Sequence, residues 1–257
     1  MPQMRGGGGT LMAVLITGGA KGIGFAIARR FASAETEVFL AYRRDHVAAA
    51  NAVAEIERQG GRAVALQADV GTPQGARRLI DEIAARTDRL DVVVHGAVKV
   101  LVGPLLDLDP HELAEAITLN GTSLAFLVQA ALPLLKRGSS IVFLSSRGSR
   151  QNVPSYAAIG AGKALAESLA RYLVPELAPR GIRINCVAPG TLDTEAIRNL
   201  FGDDTDAFLA SEAAGNPSGR NVMHDDYVGL VAFLASPEAS MIQGQVVFVN
   251  GGQYVIA

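Results

Sequence analysis

Thr17-Gly18-Gly19-Ala20-Lys21-Gly22-Ile23-Gly24 is the stretch on which the fold turns. A short apolar run, residues 12–16, enters it, and periodic apolar positions Phe25, Ile27, Ala28 and Phe31 leave it. A buried strand passing into a helix through glycines has the pattern of a phosphate-binding turn. One glycine permits the tight turn, one admits a pyrophosphate close to the backbone, and Gly24 lets helix and strand pack closely. The helix start then offers unpaired N–H groups and a positive dipole to an anion. Four glycines in eight residues also suit a plain tight turn, so the flanking chain decides between the two.

Downstream, strand-like and helix-like segments alternate without an internal repeat or a linker. Strands are expected over 37–41, 62–68, 90–95, 183–188 and 246–249, and helices over 47–59, 75–87 and 225–235. Gly60-Gly61 reads as a helix C-cap and Thr72-Pro73 as a helix start. The expected fold class is α/β, a single-domain, Rossmann-type doubly wound parallel sheet of about seven strands with helices on both faces. The second strand is followed by Tyr42, Arg43 and Arg44, with no acid before Asp45. An acid there selects a free ribose 2′-hydroxyl, whereas arginine accommodates a 2′-phosphate. Guanidinium is the better phosphate fork, so NADPH is expected rather than NADH, with Lys21 a second cation. Asp69, ending the third strand beside Val70, suits either an adenine amino group or the cap of the next helix.

Composition narrows the class. Apolar residues make up 49% and aromatics only 5%, which suits parallel strands covered on both faces. A net charge of −2 gives no basic surface for nucleic acid. One cysteine, Cys186, excludes an intrachain disulfide, and no apolar run reaches the ~18 residues of a membrane span. Residues 1–11, rich in glycine and without a signal-like apolar stretch, are expected to be a disordered arm, residues 12–257 one domain, and the location cytoplasmic.

The accumulated pieces resemble the short-chain dehydrogenase/reductase family from Met12 to Ala257. They are the glycine turn, Asp69-Val70, L-D-V-V-V-H-G-A, Asn120 in T-L-N-G-T, I-V-F-L-S-S, Tyr156 with Lys163, N-C-V-A-P-G-T and G-Q-V-V-F-V-N-G-G. The resemblance implies that Asn120, Ser145, Tyr156 and Lys163 hold the family's catalytic positions. With the reading above, it assigns the cofactor to Gly18, Lys21, Gly22, Ile23, Gly24, Arg43, Arg44, Asp69, Val70, Gly96, Lys163, Pro189, Gly190, Leu192 and Thr194. Whether Ser145 or its neighbour Ser146 faces the site is left open by the sequence.

Two departures stand out. The family usually has N-N-A-G after the fourth strand, where this chain has His95-Gly96-Ala97-Val98. His95 either ties the central strands together or lies near the cofactor. The family also places tyrosine four residues before lysine. Here that residue is Ile159, and Tyr156 stands seven before Lys163, two helical turns away. In conjugate reduction the hydride lands on the β-carbon while charge appears on the thioester oxygen, so the proton donor must be displaced. The six-residue gap, together with S-S-R-G-S-R-Q-N-V-P-S-Y-A-A-I-G-A-G-K, resembles the third-type (FabL-like), NADPH-using enoyl-acyl-carrier-protein reductases. That likeness implies a homotetramer acting on an acyl thioester, with Tyr156 stabilising the enolate and Lys163 binding the nicotinamide ribose and lowering the tyrosine pKa. Arg147 and Arg150 are expected to meet a phosphopantetheine arm or only solvent. Residues 191–220 read as a mobile substrate lid, and the Tyr254-Val255-Ile256 end as a subunit contact. A carbonyl-reducing enzyme of the same fold, perhaps of secondary metabolism, and a cofactor-binding sensor without turnover are the alternatives.

Overall fold

The computed structural model describes residues 11–255. All but Leu11 of the arm expected at 1–11, and Ile256 of the C-terminal contact, lie outside the described residues.

Seven parallel strands form one sheet: β1 (Met12–Thr17), β2 (Thr36–Tyr42), β3 (Arg62–Gln67), β4 (Leu90–His95), β5 (Leu135–Leu144), β6 (Arg183–Pro189) and β7 (Val246–Val249). The order is β3-β2-β1-β4-β5-β6-β7. Strands β1 and β4 are neighbours although β2 and β3 intervene in the chain, so the crossovers diverge between them. Ligands of such sheets bind outside the carboxyl ends of the strands at that point. The helices are α1 (Gly22–Phe31), α2 (His46–Arg58), α3 (Pro73–Ala84), α4 (Pro110–Ile117), α5 (Ser123–Ala131), α6 (Ala157–Leu177), α7 (Glu195–Phe201), α8 (Thr205–Ala214) and α9 (His224–Ala235).

Alternate strand residues feed two apolar layers. Leu15, Phe39, Val93, Ile141 and Ile184 meet α3, α5 and α6 on one face, and Val14, Ile16, Val38, Val94 and Val187 meet α1 and α9 on the other. Burial on both faces is why the strands read as continuous aliphatic runs. Local chemistry sets the helix ends. Thr72 accepts from the Gly75 N–H at 3.0 Å with Pro73 in the first turn, and Gly60, at φ +81°, closes α2. Asn120 lies in a π-turn, Thr118–Thr122, between α4 and α5.

The glycine turn is closed by contact. A Cβ on Gly24 would lie 2.2 Å from the Gly18 carbonyl oxygen, and Gly18 itself sits at φ +68°. Gly24→Ala is therefore expected to push the turn off α1 and weaken NADPH binding on the order of 10- to 100-fold with the fold retained. Fluorescence titration with NADPH and far-UV circular dichroism check this, and unchanged affinity would refute it.

The segment 191–220, expected as a lid, is largely helical. It holds α7 and α8, with Thr194 capping α7 at 3.3 Å and Phe201 stacked on Phe208 with ring centroids 4.0 Å apart. Gly202, at φ +53°, divides the two helices, and that interruption hid their short periodic patterns in the sequence.

Candidate active site

A cleft of ≈ 310 Å³ opens at the carboxyl ends of β1, β2, β3 and β4. Gly18 and Lys21 form one wall, Arg43 and Arg44 another, and Asp69, Val70 and Ala97 line the far side. Asp69 takes a role between the two expected: its Oδ1 accepts from the Gly71 N–H at 3.0 Å, while Oδ2 lies 3.9 Å from Arg43 Nη1. Thr72, not Asp69, caps α3. Lys21 pairs with Asp45 at 2.5 Å and with Glu195 of α7 at 3.1 Å, joining the glycine turn to the 191–220 segment. Arg43 and Arg44 are exposed at the end of β2. A glycine cradle beside two arginines suits a dinucleotide carrying a 2′-phosphate.

Beyond this cleft, the end of β5 faces the start of α6. Lys163 is 4% exposed, donates to the Leu144 carbonyl at 2.7 Å and lies 4.6 Å from the Phe143 ring centroid. Burial pulls its pKa down to about 8, against the opposing effects of Cys186 and Glu167, so it keeps its proton at neutral pH. Tyr156 stands just before α6, at its N-cap, rather than inside the helix. Its ring packs on Gly148, where a Cβ would lie 2.6 Å from the Tyr156 Cδ1. Burial raises the phenol pKa, and Ser146 and Arg147 draw it back down. The sequence named Lys163 as the group acting on the phenol; the cation whose charge favours its ionised form here is Arg147. The chain turns before α6, with Ser155 at φ +60°, and sets the Tyr156 ring against the β5 loop.

The two serines that the sequence left undecided have different surroundings. Ser145 donates to the buried Glu167 carboxylate at 2.5 Å. The buried hydroxyl of Ser146 makes no hydrogen bond among the described residues. Alternation along the extended chain sends neighbouring side chains to opposite sides. Asn120 is fully buried and clasps the Lys99 backbone, accepting from its N–H at 3.0 Å and donating to its carbonyl at 2.9 Å. Its Cβ abuts Gly162, the residue before Lys163. Ile159, four before Lys163, is 2% exposed in the core.

The family model described as "Enoyl-(Acyl carrier protein) reductase" matches residues 18–253. The 1-cyclohexenylcarbonyl-CoA reductase of Streptomyces collinus is 35% identical over 95% of this chain and 87% of its own. The chain belongs to the short-chain dehydrogenase/reductases. The versicolorin reductase of Emericella nidulans is 30% identical over 93% of this chain and 94% of its own. Among solved structures, a Burkholderia cenocepacia short-chain dehydrogenase in complex with NADP superposes with a TM-score of 0.84 at 32% identity, covering 94% of this chain and 97% of that one. The RhlG/NADP active-site complex of Pseudomonas aeruginosa gives 0.86 at 27% identity, covering 96% and 97%.

In this short-chain dehydrogenase/reductase His95 is a strand tie and does not line the cofactor cleft. It is fully buried, with Thr17 Oγ1 2.6 Å from Nδ1 and Ser123 Oγ 2.7 Å from Nε2. Ser123 spends its proton on the Leu119 carbonyl at 2.5 Å, so Nε2 must donate. Thr17 Oγ1 already accepts from the Gly96 and Ala97 N–H groups, both at 3.2 Å, so it donates to Nδ1. The ring is thereby fixed as one neutral tautomer, and burial holds its pKa down at about 3. Below the unfolded value of 6.5 the unfolded chain takes up a proton that the folded one refuses. Stability is therefore lost as pH falls from 6.5 toward 3. Between pH 7.5 and 5.0 the wild type is expected to lose ~2 kcal/mol more than His95→Asn in urea unfolding, and equal losses would refute the tie.

Both arginines of the β5 loop are held in ion pairs. Arg147 pairs with Glu212 of α8 at 2.9 Å and lies 4.5 Å from the Tyr254 ring centroid, and Arg150 pairs with Glu167 at 2.9 Å. Thr191 also donates to Glu212, at 2.5 Å, so this carboxylate gathers the 191–220 segment, the β5 loop and the C-terminus. Pro189 ends β6, Gly190 N–H donates to Val249 at 2.8 Å, and Leu192 is 6% exposed. Among the described residues no helix is long and apolar enough to cross a membrane, and no cluster of His, Cys, Asp and Glu suits a metal.

Proposed function

We propose that the protein is an NADPH-dependent enoyl-thioester reductase. The observation that carries this is the site of the phenol. Tyr156 precedes α6 and Ile159 fills the core where the family's usual tyrosine would stand. The chemistry NADPH supplies when bound is hydride delivery to a carbon of the substrate. Arg43 and Arg44 hold its 2′-phosphate, the glycine turn its pyrophosphate, and Lys163 its nicotinamide ribose. Tyr156, kept protonated by burial, hydrogen-bonds the thioester oxygen on which negative charge collects and supplies the proton that balances it. Asn120 keeps the chain behind Lys163 in register.

The name of the Streptomyces collinus relative, a reductase of a ring-conjugated CoA thioester, supports a thioester with an adjacent double bond. An acyl carrier protein is the expected carrier of the acyl group, α7 and α8 the cover over it, and a homotetramer the expected assembly, which light scattering checks. Carbonyl reduction is the second reading, favoured by the likeness to versicolorin reductase. NADPH oxidation with crotonyl-CoA and acetoacetyl-CoA side by side separates them. Crotonyl turnover is expected; turnover of acetoacetyl-CoA alone would replace the first reading with the second.

A further inference from the structure

Glu212 of α8 is the one acid of the 191–220 segment that is mostly covered. Its side chain is 16% exposed, against 59% for Glu195 and 86% for Asp206. Its Oε2 accepts from Arg147 Nη1 at 2.9 Å and from Thr191 Oγ1 at 2.5 Å, and its Oε1 from Arg147 Nη2 at 3.4 Å. Gln253 Nε2 reaches the same Oε2 and the Glu212 carbonyl, each at 3.4 Å. Arg147 follows β5, Thr191 follows β6 and Gln253 follows β7, so one side chain gathers the carboxyl ends of three strands. Gly148, the neighbour of Arg147, packs on the Tyr156 ring. These contacts therefore lie on the phenol side of the site, whereas Lys21 and Glu195 link the same segment to the cofactor cleft.

Little else fastens these helices. Among the described residues of α7 and α8 only Thr205 is buried, and none belongs to either apolar layer of the sheet. The two helices pack on each other through the Phe201–Phe208 stack and the Arg198–Asp206 pair. Besides Glu212, their polar side-chain links outward among the described residues are Lys21 to Glu195 at 3.1 Å and Asn221 to the Leu209 carbonyl at 2.7 Å. A segment with few buried apolar contacts opens at low free energy, so such links set how often it opens. We propose that Glu212 is the catch of the substrate cover: through Arg147 and Thr191 it fastens α8 on the phenol side of the site, and its release admits and frees the acyl thioester. This rests on the reading of α7 and α8 as the cover over the acyl group. On release both charges regain water, which makes the catch reversible, whereas removing one partner leaves the other charge half-covered and unpaired.

Glu212→Gln keeps the volume and an acceptor for Thr191 but removes the charge that faces Arg147. Amide hydrogen exchange over 205–214 of the intact chain, followed by mass spectrometry, is expected to quicken about 5- to 20-fold, with β1 and β4 unchanged. Arg147→Gln is expected to do the same, and the double variant to exceed the faster single one by less than about 1.5-fold. An unmoved rate in Glu212→Gln, or single effects that multiply in the double variant, would overturn the catch. Should Glu212→Gln not fold, Thr191→Val removes one link only and is expected to quicken exchange about 2- to 4-fold. An unmoved rate in that variant would overturn the catch equally.

Steady-state kinetics then separate the catch from the cover. A contact that holds substrate and transition state alike appears in KM rather than in kcat. With whichever of crotonyl-CoA and acetoacetyl-CoA is turned over, Glu212→Gln is expected to raise the thioester KM about 5- to 20-fold. Both kcat and the Kd for NADPH should stay within about 3-fold. If exchange over 205–214 quickens while that KM is unmoved, the catch on α8 stands and the reading of α7 and α8 as the substrate cover fails.

Discussion

Tyr156→Phe is expected to lower kcat by ~10²–10⁴ while the Kd for NADPH stays within about 2-fold. The ring sits against Gly148 and phenylalanine fills the same space, so the substitution removes only the hydroxyl. The lost interaction is made where charge develops, on the substrate oxygen, and so appears in kcat rather than in cofactor affinity. Burial keeps the phenol protonated through the neutral range, which is the state a proton donor needs. Single-turnover oxidation of NADPH with crotonyl-CoA makes the measurement, and a loss smaller than about 5-fold would remove Tyr156 from the chemistry. Ile159 offers no substitute at the family's usual position, because it is an aliphatic side chain buried in the core.

The second large effect is expected at the end of β2. Arg43→Ala with Arg44→Ala should raise the KM for NADPH about 10²- to 10³-fold and leave the KM for NADH within about 3-fold. Each charge-assisted contact to a phosphate contributes ~1.5–3 kcal/mol, and both would be lost together. Both guanidinium groups are exposed in the cleft, and Arg43 has only a 3.9 Å approach to Asp69 to give up. Lys21 is expected to matter less. It is already held by Asp45 and Glu195, so a phosphate must compete with two carboxylates for it. Steady-state kinetics with the two cofactors test this, and an unchanged preference for NADPH would move the 2′-phosphate to another part of the cleft.

Much of this protein was legible in its sequence because local rules govern those parts. Aliphatic strands alternating with helices specify a doubly wound parallel sheet, since only burial on both faces satisfies such runs. The glycine turn announced the cleft because only glycine allows the 2.2 Å closeness that a Cβ at position 24 would meet. Thr72-Pro73 and Gly60-Gly61 marked helix ends through hydrogen bonds that span a few residues. The two arginines after β2 were readable for the same reason, as the end of that strand has one place in the fold.

What remained hidden depends on residues distant in the chain. Ser145 and Ser146 are chemically identical in sequence, and only the approach of Glu167, 22 residues on from Ser145, gives one a partner and leaves the other without one among the described residues. The role of His95 was set by Thr17 and Ser123, 78 residues before it and 28 after. Arg147 and Arg150 read as free cations until Glu212 and Glu167 met them from other helices. The sequence by itself determined the sheet, the turn and the cofactor cleft, whose causes are steric and periodic and act over a few residues. The tertiary structure alone decided which polar side chains face the reacting groups, because a hydrogen bond or ion pair between distant segments exists only once packing has brought its two ends within about 3 Å.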